Sequence, residues 1–363
     1  VYLDSASGEA LHPAARQAFA AALETAYADP RRLHHAGRSA RLVLDNARAA
    51  TAEALGVRPD EVTFVSSGTE AVHRGLLGLH RGAARTGARI VHTAVEHSAV
   101  LHAATWSKAT TRAVAVDATG RVRLDDLDVT DATVVACQSA NHEVGTVQPV
   151  AEVADLLDGA SLFVDACASA GRLPLPERWS ALAASAHKWG GPPGVGILVV
   201  RRGARWRDPF PEDDRAAEHE RGFENVASVL ASAAALQAVV ADRDAENLRV
   251  HALVSWIRRV VGGIPDVEVV GDPSERLPHL VSFSCLYVDG EALVTELDRL
   301  GFEVASGSAC TASTVEPSHV LAAMGALTHG NVRVSVGRDT TEDDVARFLD
   351  VLPGVVERLR ARV

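Results

Sequence analysis

At 363 residues, with 47% hydrophobic content spread through short runs, the chain is long enough to bury a sizeable core and to divide into two domains. Its net charge of -11 argues against a general nucleic-acid surface, which needs a clustered basic footprint, and no run approaches the roughly 20 apolar residues that span a bilayer; neither partner is expected. Four cysteines, Cys137, Cys167, Cys285 and Cys310, lie far apart without paired spacing, which points to a reducing, cytoplasmic setting.

The chain opens with Val1-Tyr2-Leu3-Asp4, a short strand running into the polar turn at Ser5 to Ser7, and a helix is expected from Pro13 to Ala26. The loop Asp29 to His35 follows; its paired histidines have no Cys, Asp or third His at a ligand spacing, so no metal is expected. A second helix, Arg38 to Leu55, should close at Gly56. Glu61 to Val65 reads as a buried strand that passes through Ser66-Ser67-Gly68-Thr69-Glu70-Ala71 into a helical pattern from Val72 to Leu79. Such a small-residue turn offers backbone N–H groups and the positive end of a helix dipole to a phosphate, although the same residues also serve as a plain helix cap. Strands are then expected at Arg89 to Thr93, Arg112 to Val116, Thr133 to Cys137 and Ser161 to Ala166, with helical stretches between them.

This alternation predicts an α/β fold with a mostly parallel, doubly wound sheet, and ligands of such sheets sit beyond the carboxyl ends of the strands. The turn at Ser67 to Thr69, His97, Asn141 with His142, Asp165 and Lys188 all fall at or just after strand ends. Lys188 stands between the Ala/Ser-rich approach at Ser185-Ala186-His187 and a Gly/Pro turn, a fixed perch that suits a Schiff-base lysine; the alternative is a lysine that merely flanks a turn. A phosphate cup, a ring partner, a carboxylate and an amine at one mouth match pyridoxal 5'-phosphate. Its aldehyde would meet Lys188, its phosphate the helix start, its pyridine nitrogen Asp165 and its ring face His97.

These residues resemble the class V, fold-type I pyridoxal-phosphate enzymes, and within them the cysteine desulfurases of the iron-sulfur and nitrogenase subgroup. The resemblance runs from Tyr2-Leu3-Asp4 through Glu96-His97-Ser98-Ala99-Val100, Asn141-His142-Glu143-Val144-Gly145 and Ser185-Ala186-His187-Lys188 to Val332-Arg333-Val334-Ser335-Val336-Gly337-Arg338. Its most specific segment is Ser306-Gly307-Ser308-Ala309-Cys310-Thr311-Ala312-Ser313, which looks like the loop whose cysteine carries sulfur. The small neighbours of Cys310 are consistent with an accessible thiol, whereas Cys285, within Leu280 to Cys285, reads as a buried one, and Cys137 and Cys167 as core or supporting residues.

The resemblance implies that Gly68, Thr69, His97, His142, Asp165, Ser185, His187 and Lys188 hold the cofactor, and that Asn141 and Arg333 bind substrate. It implies catalysis by Lys188, His97 and Cys310: Lys188 removes the α-proton of L-cysteine, Cys310 attacks the substrate sulfur, and alanine and a Cys310 persulfide result. Arg333 pairing with a structural Asp instead is the alternative for that residue. The chain departs from the family at His142, where a second Asn is common; at Ala168, where Gln is common; and at Phe223, where a Thr reaches a neighbouring subunit's phosphate. A large cofactor domain is expected over 13–244 and a small one over 1–12 plus 245–363, in a homodimer. The chain also ends soon after its final helix, and with the departures this leads to the expectation of a specialised sulfur donor, to an acceptor protein or a small-molecule pathway enzyme. The competing readings are a C–S β-lyase or transaminase that does not need Cys310, and a catalytically silent partner protein, against which Lys188, Asp165 and His97 argue.

Overall fold

Strands β4 (Ala132–Ala136), β5 (Ser161–Asp165) and β6 (Ala181–Ser185) are buried at every position, as apolar runs covered on both faces must be. They form the centre of a seven-stranded sheet in the computed structural model, which describes residues 1–83, 85, 87–211, 222–306 and 317–361. Around them stand β1 (Val62–Val65), β2 (Arg89–Thr93), β3 (Thr110–Val114) and β7 (Gly196–Val200), in the order β1-β7-β6-β5-β4-β2-β3. Strands β3, β2, β4, β5 and β6 pair in parallel, whereas β7 runs antiparallel to both β6 and β1.

Alternate residues of each strand face opposite layers. Leu162, Val164, Leu182 and Val199 pack with α1 (Pro13–Thr25), α2 (His35–Leu55) and the first half of α6 (Val226–Val261), while Phe163, Ala183 and Leu198 pack with α3 (Gly68–Gly82) and α4 (Ser98–Trp106). Each buried branched or aromatic side chain contributes about 1.5–3 kcal/mol against its exposed state. A short helix, α5 (Val150–Asp155), connects β4 to β5.

A second core lies around the antiparallel sheet β10-β9-β8, made of β8 (Val267–Val270), β9 (Leu280–Cys285) and β10 (Asn331–Ser335). Helices α7 (Gly290–Arg299) and α9 (Glu342–Arg360) cover it, and α8 (His319–Met324) stands between β9 and β10 in the chain. The amino-terminal strand joins this sheet through bridges of Tyr2 with Glu303 and Asp4 with Ser335.

The structure amends several expectations. The boundary expected at Asp244 falls inside α6: Val226 to Leu236 belong to the first core, Val250 to Val261 to the second, so one continuous helix serves both. By length and composition this 36-residue helix could cross a bilayer, with a window of mean hydropathy 1.3, contrary to the expectation that no stretch comes close. Its apolar residues are instead divided between two protein cores. Glu61 is not part of β1; Pro59 starts a single 3-10 turn, and the Glu61 carboxylate accepts from the amides of Arg58 (3.2 Å) and Arg202 (2.9 Å). Strand β3 begins and ends two residues earlier than expected, because Val116 bridges Val122. His34 caps α2, its Nδ1 accepting from the Gly37 amide at 3.1 Å, and among the described residues no group of three His, Cys, Asp or Glu is placed to hold a metal ion.

Candidate active site

The strand ends of the large sheet converge on a cavity of about 240 Å³, lined by Gly68, Thr69, His97, His142, Asp165, Ser185, His187, Lys188 and Arg333 among others. Of the residues selected from sequence that the structure describes, Asn141 is missing from that wall. Asn141 is fully buried: its Nδ2 donates to the Val95 carbonyl (3.0 Å) and its Oδ1 accepts from the amides of Glu143 and Val144, both at 2.8 Å. Three hydrogen bonds thus engage that amide in holding the His142 turn against Val95, and the side chain stands behind the cavity wall. Cys310 lies outside the described residues.

The start of α3 forms one end of the cavity. Ser67 caps the helix, its Oγ accepting from the Glu70 amide at 3.1 Å, so the amides of Gly68 and Thr69 stand at the positive end of the helix. Gly68 is required there by close approach: a Cβ would lie 2.8 Å from Ser185 Cβ and 3.0 Å from Cys167 Sγ. Amides so placed can cradle an anion.

Lys188 sits on a 3-10 turn, Ala186–Trp189, which Gly190 ends in the left-handed region (φ 79°). The turn is anchored by the buried Trp189, whose Nε1 donates to the Ser232 carbonyl at 3.2 Å. Lys188 Nζ donates to the carbonyls of Ala6 (2.5 Å) and Ser7 (3.1 Å), so the amino-terminal turn closes over the amine. Beside it Ser185 Oγ lies 3.0 Å from His187 Nδ1; burial, then the neighbouring Lys188, push that imidazole down to about 4 and keep it neutral.

His97 and His142 meet edge to face, their ring centroids 4.9 Å apart and their planes at 69°. His97 also caps α4, its Nδ1 accepting from the Ala99 amide at 3.1 Å, which leaves Nε2 to carry the proton of the neutral ring. Burial lowers both imidazoles; Asp165 opposes this at His97, while His97 and Arg333 reinforce it at His142. Asp165 ends β5, and its Oδ1 accepts from the Cys167 amide at 2.9 Å. Burial and then the Asp165 charge push the thiol of the cavity-lining Cys167 well up, which favours its protonated form.

Arg333 makes the pairing with an Asp that was its alternative, and it does so from the cavity wall. It lines the cavity, yet its guanidinium donates to Asp4 Oδ1 (2.8 Å), Ser7 Oγ (2.6 Å) and the His142 carbonyl (3.0 Å), and its buried Nε has no partner. Sequence reasoning missed Ser7 and Gln138. Gln138 follows β4 and obeys the strand-end rule that found the others, so it was legible; Ser7 reaches the site from the opposite end of the chain and carried no such signal. Ala168 lines the wall beside His142, and Phe223 lies apart, 62% exposed, at the rim of a separate cavity of about 180 Å³ with Glu224 and Asn225. The site therefore offers an anion cradle, a carboxylate, a neutral imidazole face, an amine and a guanidinium around one cavity.

A family model described as aminotransferase class-V matches residues 1–348. The chain is 37% identical over 383 residues to an IscS-like cysteine desulfurase of Mycobacterium tuberculosis (99% of this chain, 97% of that one). It is 34% identical to cysteine desulfurase IscS of Dictyoglomus turgidum (99% and 95%) and 32% identical to cysteine desulfurase NifS of Azotobacter vinelandii (99% and 93%). Among solved structures, a NifS-like protein superposes with a TM-score of 0.91 at 26% identity (99% and 100%), and DndA from Streptomyces lividans with 0.77 at 26% (92% and 99%).

Proposed function

This chain belongs to the class V aminotransferase family, and from that premise we propose that it is a pyridoxal-phosphate-dependent cysteine desulfurase, converting L-cysteine to L-alanine and leaving the sulfur on Cys310 as a persulfide. The observation that carries the reading is the convergence of Lys188, Asp165, His97 and the start of α3 on one cavity. Those residues fit the cofactor: the amides of Gly68 and Thr69 would take its phosphate, Asp165 its ring nitrogen, His97 its ring face and Lys188 its aldehyde. When bound, pyridoxal phosphate supplies an electron sink for the charge that develops at the substrate α-carbon.

The chain's own groups supply the rest. Lys188 is the base for the α-proton, and the carbonyls of Ala6 and Ser7 stabilise the ammonium that results. Arg333 presents its planar fork to the substrate carboxylate while Asp4 holds the guanidinium in place. Cys310 thiolate attacks the substrate sulfur; an S–S bond forms and the C–S bond breaks. The electron pair stays on the β-carbon, which is protonated to the methyl group of alanine, and no external oxidant is consumed. With His142 and Ala168 in place of the family's amides, ring-side hydrogen bonding rests on an imidazole. A homodimer, a cytoplasmic setting and delivery to a dedicated sulfur acceptor are part of the same proposal, supported by the family resemblance.

The test mixes the purified protein with L-cysteine, with and without a thiol reductant, and measures alanine, sulfide and the mass of the peptide carrying Cys310. Alanine with a sulfur adduct on that peptide is expected, both lost in Lys188→Ala and the adduct lost in Cys310→Ser. Pyruvate and ammonia with full activity in Cys310→Ser would refute the reading in favour of a β-lyase.

A further inference from the structure

The amino-terminal turn over 4–9 is pinned at both ends. The Ser5 amide donates to the Ser335 carbonyl (3.4 Å) and the Ala6 amide to Ser335 Oγ (2.9 Å), at the end of β10, while the Glu9 amide donates to the His187 carbonyl (2.8 Å), on the turn that carries Lys188. Within it the Ser7 amide donates to the Asp4 carbonyl at 3.0 Å. Ser7 is exposed and lines the cavity. Its carbonyl accepts from Lys188 Nζ at 3.1 Å, and its Oγ accepts from Arg333 Nη2 at 2.6 Å while donating to Asp4 Oδ1 at 2.9 Å. One residue thus touches both the amine that removes the α-proton and the guanidinium that meets the carboxylate.

The protons of Arg333 show where a carboxylate can enter. Nη2 carries two; Asp4 Oδ1, at 2.8 Å, takes one and Ser7 Oγ the other, and Nη1 gives one of its own to the His142 carbonyl at 3.0 Å. An ion pair holds a guanidinium more strongly than a neutral hydroxyl does, so Asp4 keeps its place and the Ser7 hydroxyl is the partner that an incoming carboxylate displaces. The displaced hydroxyl remains beside the new oxygen. It rotates about a single bond and can turn its proton from Asp4 to that oxygen.

We propose that the Ser7 hydroxyl is a substrate-binding group: it yields its contact with Arg333 to the α-carboxylate of the amino acid and donates a hydrogen bond to that carboxylate. The same residue holds Lys188 through its carbonyl, so the seat of the carboxylate and the base for the neighbouring carbon are set from one point of the chain, a spacing that selects α-amino acids. The inference rests on the cofactor and substrate reading above, and names the group that recognises the carboxylate together with Arg333.

The experiment uses the cofactor-loaded full chain as wild type, Ser7→Ala and Ser7→Thr, and repeats Ser7→Ala in an Arg333→Met background, which removes every guanidinium donor at similar length. Each is titrated with L-alanine and with ethylamine, which lacks the carboxylate, and binding is read from the cofactor's absorbance. Expected is an affinity ratio of L-alanine to ethylamine that falls about tenfold in Ser7→Ala, the equivalent of one hydrogen bond to a charged group, and stays within about threefold of wild type in Ser7→Thr, which keeps the hydroxyl. In the Arg333→Met background Ser7→Ala should lower the ratio again, because the hydroxyl meets the carboxylate directly. No further loss there would mean that the hydroxyl only braces Arg333, and would overturn the inference, as would an unchanged ratio in Ser7→Ala alone. Wild type whose absorbance responds to neither amine would overturn the cofactor reading along with it, whereas wild type that binds L-alanine but does not form it from L-cysteine would overturn the desulfurase reading alone.

Discussion

Replacing Glu96 with glutamine isolates the cost of a buried carboxyl beside the site. Glu96 is fully buried; its Oε1 accepts from Thr93 Oγ1 at 2.7 Å and from the Gln138 amide at 2.8 Å, and its Oε2 has no partner. Burial, with a smaller push from the Asp165 charge, raises its pKa from the usual 4.5 to about 8. The folded state therefore holds a proton that the unfolded chain releases above about pH 4.5. Stability from this group is complete below that value and is lost as the pH rises toward 8. At ~1.4 kcal/mol per pH unit across this window, the wild type loses about 4 kcal/mol by pH 8 on this account. Glutamine keeps the acceptor for Thr93 and Gln138 and has nothing to ionise. Urea unfolding of both proteins, followed by tryptophan fluorescence at half-unit steps from pH 5 to 8.5, gives the difference between them, from which the other titrating groups cancel. The difference should move steadily in favour of Glu96→Gln as the pH rises. Parallel curves over that range, within about 1 kcal/mol, would refute the argument and mean that the carboxyl is solvated.

Other perturbations test the cavity and its supports. Gly68→Ala places a Cβ 2.8 Å from Ser185 Cβ, and the resulting overpacking, about 1–3 kcal/mol, should weaken cofactor affinity about tenfold or more in an absorbance titration. Arg333→Lys removes the planar fork from Asp4 and the His142 carbonyl; KM for L-cysteine should rise at least tenfold in steady-state assays, with a smaller change in kcat. Glu9→Ala breaks an ion pair with Arg172 in which both side chains are at most 10% exposed (2.6 Å), and chemical denaturation should show a loss of about 3 kcal/mol.

The parts of the fold that could be read from sequence were those with a local signature. Apolar runs fully buried in β4 and β5 gave two of the central strands, and the Ser67-Gly68-Thr69 turn and Lys188 lay at strand ends where the fold puts ligands. What stayed hidden depends on contacts between distant residues. Asp4 and Arg333 are 329 positions apart, and nothing near either one announces their pairing. Asn141 has the residue type of a substrate ligand, but its amide is engaged with the backbone of its own turn and with the Val95 carbonyl 46 positions away, which only the folded chain reveals. The same holds for Glu96 and Glu143, which look like surface carboxylates in sequence and are buried in the folded chain.

The continuity of α6 has a mechanical consequence. Because the first half of this 36-residue helix is a wall of one core and its second half a wall of the other, neither core can lose its helix while the other keeps a full-length one without fraying mid-span, around Asp242 to Leu248. The two halves of the molecule share a spine, and nucleation in either extends a helix that the other can then dock upon. Heat should therefore melt the chain in a single calorimetric transition, and a proline placed in the middle of that spine should divide it into two.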